Sequence, residues 1–140
     1  MDDCKEWLWA IAVALVVVAA GPASAVAGQG PRPVHVGVVL DTSGSMKSND
    51  PERLSLLGAM MFTDLLGPKD RVGIWGMDER AGGLSAMRAI GERRSSVKSA
   101  IDRVRFQTST DCRGPLERAA EALGEARGEE PKAEQFVVFL

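Results

Sequence analysis

The stretch VVLDTSGSMKSNDP, residues 38–51, decides the fold, because it joins a buried strand to a helix. The strand is the run VHVGVVL, residues 34–40, whose β-branched residues lack sustained alternation, as is typical of a strand buried on both faces. We predict that the helix begins with Asp50 as its N-cap and Pro51 at its first position. A buried strand followed directly by a helix is typical of an α/β domain.

The residues after this stretch extend the pattern. Apolar residues at helical spacing predict a helix packed deep against a sheet. They are Leu54, Leu57, Met61 and Leu65, with Leu56, Met60 and Phe62 widening the apolar face. Further strands are predicted at residues 71–77, 84–90 and 135–140, and further helices at residues 92–105 and 116–126. This order predicts a Rossmann-like, mostly parallel sheet flanked by helices, with Asp41 at the carboxyl end of the first strand, where such sheets bind ligands.

The composition restricts the functional classes. The chain has 140 residues, of which 45% are hydrophobic and 26% charged, and this suits one globular domain. Its formal net charge is −2, and it has no basic cluster with interleaved aromatic residues, so we predict no nucleic-acid partner. We expect the domain to occupy residues 34–140, after a linker of turn-forming residues, GQGPRP, at residues 28–33.

The N-terminal segment predicts export. Residues 8–20, LWAIAVALVVVAA, are apolar without a charge, and they are fewer than the roughly 20 residues that a membrane-spanning helix needs. Small residues suited to cleavage follow, so residues 1–27 are predicted to be a signal peptide of a periplasmic or extracellular protein. The alternative is an uncleaved N-terminal anchor, which would bring the protein to a membrane. The acidic start, with Asp2 and Asp3, departs from the usual basic n-region.

Three classes of site fit the DTSGS stretch poorly. An aspartic protease needs Thr-Gly or Ser-Gly directly after its aspartate, and here Ser43 separates Thr42 from Gly44. A phosphate-binding loop closes on Gly-Lys-Ser or Gly-Lys-Thr, whereas Lys47 follows three residues after the glycine. A nucleophilic serine needs a base within reach, and the single histidine, His35, lies roughly 20 Å away along the same predicted strand.

A metal site fits the chemistry of this stretch better. Asp41, Ser43 and Ser45 alternate along an extended turn, so their oxygens can converge on one point, and Gly44 allows the backbone to turn between the serines. A carboxylate and two hydroxyls are hard oxygen donors, which suit Mg²⁺, Mn²⁺ or Ca²⁺. A strand-end aspartate that is satisfied by its own backbone explains the same residues. The residues alone leave both interpretations open.

The run VVLDTSGSM, followed by NDPERL and DRVGI, resembles the start of a von Willebrand factor type A (vWA) domain. The resemblance covers residues 34–140. The metal-ion-dependent adhesion site of that family begins Asp-x-Ser-x-Ser, which Asp41, Ser43 and Ser45 match, and Thr110 matches its threonine ligand. The resemblance implies a divalent-cation-dependent protein-binding module without enzymatic activity, in which a protein partner supplies an acidic side chain to the metal.

The resemblance is incomplete at the carboxyl side. In the family a further metal-site aspartate follows the strand that QFVVFL matches, and more strands and helices come after it. We therefore expect residues 34–140 to be the N-terminal part of a vWA domain and the ion to be bound weakly. The alternatives are a fragment without independent activity and a metal-assisted hydrolase, for which Asp78 and Glu79 are the nearest candidate bases.

Overall fold

Four strands form one sheet in the computed structural model, which describes residues 32–77, 83–107 and 111–140. The strands are β1 (Val34–Leu40), β2 (Arg71–Gly76), β3 (Gly83–Ala89) and β4 (Glu134–Phe139). Their order in the sheet is β3–β2–β1–β4; β1 is parallel to both β2 and β4, and β3 is antiparallel to β2. The predicted mostly parallel sheet is confirmed, and β1 lies in its interior.

Helices cover both faces of this sheet. They are α1 (Met46–Asn49), α2 (Leu54–Leu65), α3 (Arg94–Asp102) and α4 (Arg113–Glu129), and a 3-10 turn at Gly91–Arg93 precedes α3. The alternation of side chains along β1 assigns the faces, since successive residues of a strand point to opposite sides. Val38 packs in one core with Leu56 of α2 and Ile101 of α3, while Val39 packs in a second core with Ala119 of α4. Six of the seven β1 residues are buried, which confirms a strand covered on both faces.

The orientation of α2 differs from the prediction. The stripe expected to pack on the sheet is exposed, with exposed fractions of 58% for Leu54, 47% for Leu57, 62% for Met61 and 82% for Leu65. The buried residues of α2 are Leu56, Ala59 and Thr63. Because the helix carries apolar residues around most of its circumference, the periodicity predicts a helix but does not identify its buried side.

Contacts with α3 help to fix the observed orientation of α2. Arg94 donates hydrogen bonds to the carbonyl oxygens of Thr63 and, at 2.7 Å, Leu66, at the carboxyl end of α2. Lys98 Nζ pairs with Asp64 Oδ2 at 2.5 Å. These polar contacts attach one flank of α2 to α3, so the stripe that begins with Leu54 faces away from the sheet.

The start of α2 is also corrected. The helix begins at Leu54, so Pro51 lies in the preceding turn and not at the first helical position. Asp50 still caps the helix: its Oδ1 accepts from the backbone N–H of Leu54 at 2.7 Å, and its Oδ2 accepts from the N–H of Ser55 at 2.9 Å. Arg53 completes the turn with a φ of 59°, in the left-handed region. The turn between α1 and α2 displaces the helix start by three residues from the predicted one.

The signal peptide at residues 1–27 and most of the linker at residues 28–33 fall outside the described residues, so both stay predictions. The described residues from 32 onward belong to one compact unit. Among them, no helix has the length and apolar character that crossing a bilayer requires.

Candidate metal site

The DTSGS loop lies at the carboxyl edge of the sheet, between the ends of two flanking strands. Asp41 directly follows β1, and its backbone N–H donates to the carbonyl oxygen of Leu140 at 2.6 Å. On the other side, the N–H of Met77 donates to the carbonyl oxygen of Leu40 at 2.9 Å. The loop therefore begins at the position where ligands are bound in sheets of this kind.

The three predicted ligands of this loop lie together. Asp41 Oδ1 accepts from the backbone N–H of Ser43 at 2.8 Å, and the Oγ atoms of Ser43 and Ser45 are 2.9 Å apart. Ser43 is buried, whereas Ser45 is exposed and Asp41 half-buried, so the group of oxygens is open to solvent on one side. The carboxylate–backbone bond is the local turn that the alternative interpretation predicted. It occupies one carboxylate oxygen, and Oδ2 accepts no hydrogen bond from the described residues.

The short helix α1 holds the second serine in place. The backbone N–H groups of Ser48 and Asn49 both donate to the carbonyl oxygen of Ser45 at 3.0 Å, and Ser48 Oγ donates to the same oxygen at 3.0 Å. The N–H of Met46 donates to the carbonyl oxygen of Ser43 at 3.2 Å. These bonds fix the backbone on which both hydroxyls depend.

A second segment, residues 103–107 after α3, lies beside the loop. The backbone N–H of Gln107 donates to the carbonyl oxygen of Thr42 at 2.8 Å. The Thr42 side chain is 2% exposed, and its hydroxyl has no hydrogen-bond partner in the part of the chain that the structure describes. Local sequence patterns did not predict that this segment lies beside the loop. The basic residues of the segment, Arg103 and Arg105, are the signal that was available.

The fourth predicted ligand, Thr110, lies outside the described residues and stays a prediction. Its neighbour Asp111 is described, and it caps α4: Oδ1 accepts from the N–H groups of Arg113 at 3.0 Å and Gly114 at 3.1 Å. An ideal Cβ on Gly114 would lie 2.4 Å from Asp111 Oδ2, so glycine allows the carboxylate to approach the helix end. The capping role of Asp111 fixes the start of α4.

Other chemical groups lie away from this loop. His35 is fully buried, and its Nε2 is 2.9 Å from Glu130 Oε2. It sits at the start of β1, at the opposite end of the strand from Asp41. Asp78 and Glu79 lie outside the described residues. Within the described ranges, no group of three or more His, Cys, Asp or Glu side chains is arranged to hold a metal. Among the described residues, the ligands available to a metal at this loop are the Asp41 carboxylate and the hydroxyl oxygens of Ser43 and Ser45.

The donor chemistry fits a hard divalent cation. Asp41 offers an anionic oxygen, and Ser43 and Ser45 offer two neutral oxygens near each other. Mg²⁺ accepts such donors and keeps several water molecules when few protein ligands are available. The expectation that the ion is bound weakly stays a prediction.

The sequence of residues 36–140 matches the family model of the von Willebrand factor type A domain. The chain belongs to the vWA domain family. A search of curated proteins gives no match. The matched residues include the whole sheet except the first residues of β1, and they include Asp41, Ser43, Ser45 and Thr110.

Solved structures share the fold of this vWA chain. A von Willebrand factor type A protein from Catenulispora acidiphila is 16% identical, with a TM-score of 0.59 over 78% of this chain and 26% of that one. The pilus adhesin SpaC from Lactobacillus rhamnosus GG is 19% identical, with a TM-score of 0.59 over 79% of this chain and 15% of that one. Proximal thread matrix protein 1 from the mussel byssus, with a zinc-occupied MIDAS motif, is 16% identical, with a TM-score of 0.53 over 78% of this chain and 37% of that one.

The chain thus spans between 15% and 37% of the length of these three proteins. At this level of identity the likeness establishes the fold. The predicted α/β architecture with the vWA arrangement is confirmed.

Proposed function

We propose that this vWA chain is a divalent-cation-dependent protein-binding module. The cation would be held by Asp41, Ser43, Ser45 and Thr110, and an acidic side chain of a protein partner would complete its coordination. The observation that carries the proposal is the 2.9 Å approach of the two serine hydroxyls, directly beside Asp41 at the carboxyl edge of the sheet.

The residues of the loop have separate parts in this function. Asp41 supplies the negative charge, and its Oδ2 is the oxygen left for an ion because Oδ1 accepts from Ser43 N–H. Ser43 and Ser45 supply neutral oxygens. A cation held by these residues would leave a position for the carboxylate of the partner. We propose Mg²⁺, with Mn²⁺ or Ca²⁺ as alternatives, since all three accept oxygen donors.

A binding role agrees with the structural neighbours, which include a pilus adhesin and a matrix protein with a metal-occupied adhesion motif. We propose the same class of role here, in an exported protein and without catalysis. His35, the histidine that a hydrolytic mechanism would use, is buried and paired with Glu130 at the far end of β1.

Calorimetric titration of the full chain with Mg²⁺ and Mn²⁺ tests this function. We expect weak binding that Asp41→Ala abolishes, since this change removes the carboxylate of the site. Thr110→Ala is expected to weaken binding by about tenfold, a loss comparable to that from disturbing a metal-ligand shell. Asp102→Ala is the matched control, because it removes an exposed carboxylate from the end of α3. Equal affinity in Asp41→Ala and Asp102→Ala would show that the ion binds elsewhere.

A further inference from the structure

Two cavities lie beside the DTSGS loop, and one arginine lines both. The first has a volume of about 410 Å³ and is lined by Thr42, Arg103, Arg105 and Gln107, together with apolar residues. The second, of about 540 Å³, is lined by Lys47 and again by Arg105. The segment that follows α3 therefore brings cationic side chains to the flank of the candidate metal site.

These cations are not neutralised within the described structure. Lys47, Arg103 and Arg105 are exposed, and none of the ion pairs formed by described residues includes them. Arg105 makes one long hydrogen bond, 3.3 Å, to the carbonyl oxygen of the preceding residue. The nearby carboxylate of Asp50 is already used, since it accepts three hydrogen bonds at the start of α2. Within the described part of the chain, these three cations at the flank of the loop are thus available to bind an anion.

One residue that lines the first cavity, Thr42, also carries a buried hydroxyl without a partner among the described residues. Thr42 is 2% exposed. An unsatisfied buried polar group is costly, and an acceptor that enters the cavity would remove that cost. A carboxylate is suited to this position because it is an acceptor-only group that arginine binds through paired N–H donors.

We propose that this cavity binds a carboxylate from an acidic segment of a protein partner. Arg103 and Arg105 bind the charge, and the Thr42 hydroxyl donates to one of its oxygens. This proposal rests on the proposed function, in which one acidic residue of the partner binds the metal. A second acidic residue of the same partner then enters the neighbouring cavity. The partner is thus a segment with at least two acidic residues, not one that presents a single isolated acid.

Fluorescence anisotropy of the full chain with a labelled peptide of alternating aspartate and serine residues tests this. In EDTA, where no divalent ion is free, we expect weak binding that the double variant Arg103→Gln/Arg105→Gln reduces by about tenfold. Arg118→Gln/Arg127→Gln is the matched control, because it removes two exposed positive charges from α4 on the other face of the sheet. We expect this control to bind as the parent chain does.

A conservative variant tests the buried hydroxyl. Thr42→Val keeps the shape of the side chain, which matters because an ideal Cβ on Gly76 would lie 3.1 Å from Thr42 Cγ2. We expect peptide affinity to fall about tenfold, as for the loss of one hydrogen bond to a charged group, while thermal unfolding shows that the variant is folded. Unchanged affinity in both Thr42→Val and the double arginine variant would overturn the proposal.

Two further experiments distinguish failure of the metal site from failure of the cavity site. Asp41→Ala is expected to lose metal binding but to retain arginine-dependent peptide binding in EDTA, so failure of the metal site leaves this proposal standing. Peptide binding that occurs solely with Mg²⁺ and is insensitive to the arginines would refute the cavity site and leave the metal function standing.

Competition with inorganic phosphate tests which anion the cavity binds. Displacement of the peptide at equal anion concentration would indicate a small-anion site and would overturn the assignment to an acidic protein.

Discussion

Two aspartates of the same stretch have different roles at the scale of single residues. Asp50 accepts three hydrogen bonds, from the N–H groups of Leu54 and Ser55 and from the Ser55 hydroxyl at 2.6 Å. Among the described residues, Asp41 accepts one, from Ser43. A carboxylate whose oxygens are all used by the protein is structural, whereas one with a spare oxygen beside two hydroxyls has capacity for a ligand. The sequence predicted a different role for each residue; the contacts of Asp50 confirm that it caps α2, and the ligand role of Asp41 stays a prediction.

The cap of α2 predicts a pH dependence of stability. The hydrogen bonds from the Ser55 side chain and backbone, followed by that from Leu54, lower the pKa of Asp50 below its ordinary value of 3.8. A carboxyl group whose pKa is lower in the folded state contributes stability above its unfolded pKa, and that contribution is lost as the pH falls through the folded value.

Asp50→Ala is therefore expected to lower the melting temperature by a few degrees at neutral pH. The difference from the parent chain should shrink as the pH falls below about 4, because the parent then loses the charged cap as well. Melting curves from pH 7 down to pH 3 measure this, with Asp102→Ala as a control that removes an exposed carboxylate. A difference that stays constant across this range would contradict the assigned cap.

At the scale of elements, α2 shows what periodicity can and cannot predict. Its existence followed from apolar spacing, and its approximate start followed from Asp50. Its buried side did not follow, because apolar residues on both sides gave two acceptable orientations. Long-range contacts select one of the two orientations: Asp64 pairs with Lys98, which is 34 residues away in the chain. Such a pair leaves no signal in local sequence.

Alanine substitutions at two adjacent leucines of α2 test the observed orientation. Leu56 is 2% exposed and packs in the core with Val38, whereas Leu57 is 47% exposed. Leu56→Ala is expected to lower the free energy of unfolding by about 2–5 kcal/mol, and Leu57→Ala by no more than about 0.5 kcal/mol. Urea denaturation measures both. A larger loss of stability in Leu57→Ala than in Leu56→Ala would support the orientation that periodicity alone predicted.

At the scale of the whole molecule, the sequence predicted the class of fold and the position of the Asp41 loop at the carboxyl edge of the sheet. The buried run of β1 predicted an interior strand, and its carboxyl end predicted where the Asp41 loop lies. The cationic flank was not predicted, because Arg105 and Thr42 come together through the Gln107 N–H bond to the Thr42 carbonyl oxygen, across a chain separation that local patterns do not contain. Tertiary contacts of this kind determine which loops become neighbours.

The position of β4 in the sheet has a consequence for solubility. It pairs with β1 on one side, and among the described strands it has no neighbour on the other. Phe136, Val137 and Phe139 are 49%, 48% and 45% exposed. The run at residues 136–139 is apolar and uncharged. An edge strand of this kind offers free backbone donors and acceptors to other chains, so we expect it to promote aggregation.

We expect Val137→Lys to reduce aggregation of the chain, because a lysine on an edge strand opposes pairing with another edge. Light scattering during incubation at constant protein concentration measures the rate, and thermal unfolding verifies the fold. Ala120→Lys is the matched control, since it adds the same charge at an exposed position of α4. If the two variants slow aggregation equally, net charge explains the effect; a larger effect at residue 137 identifies the β4 edge as the surface through which chains associate.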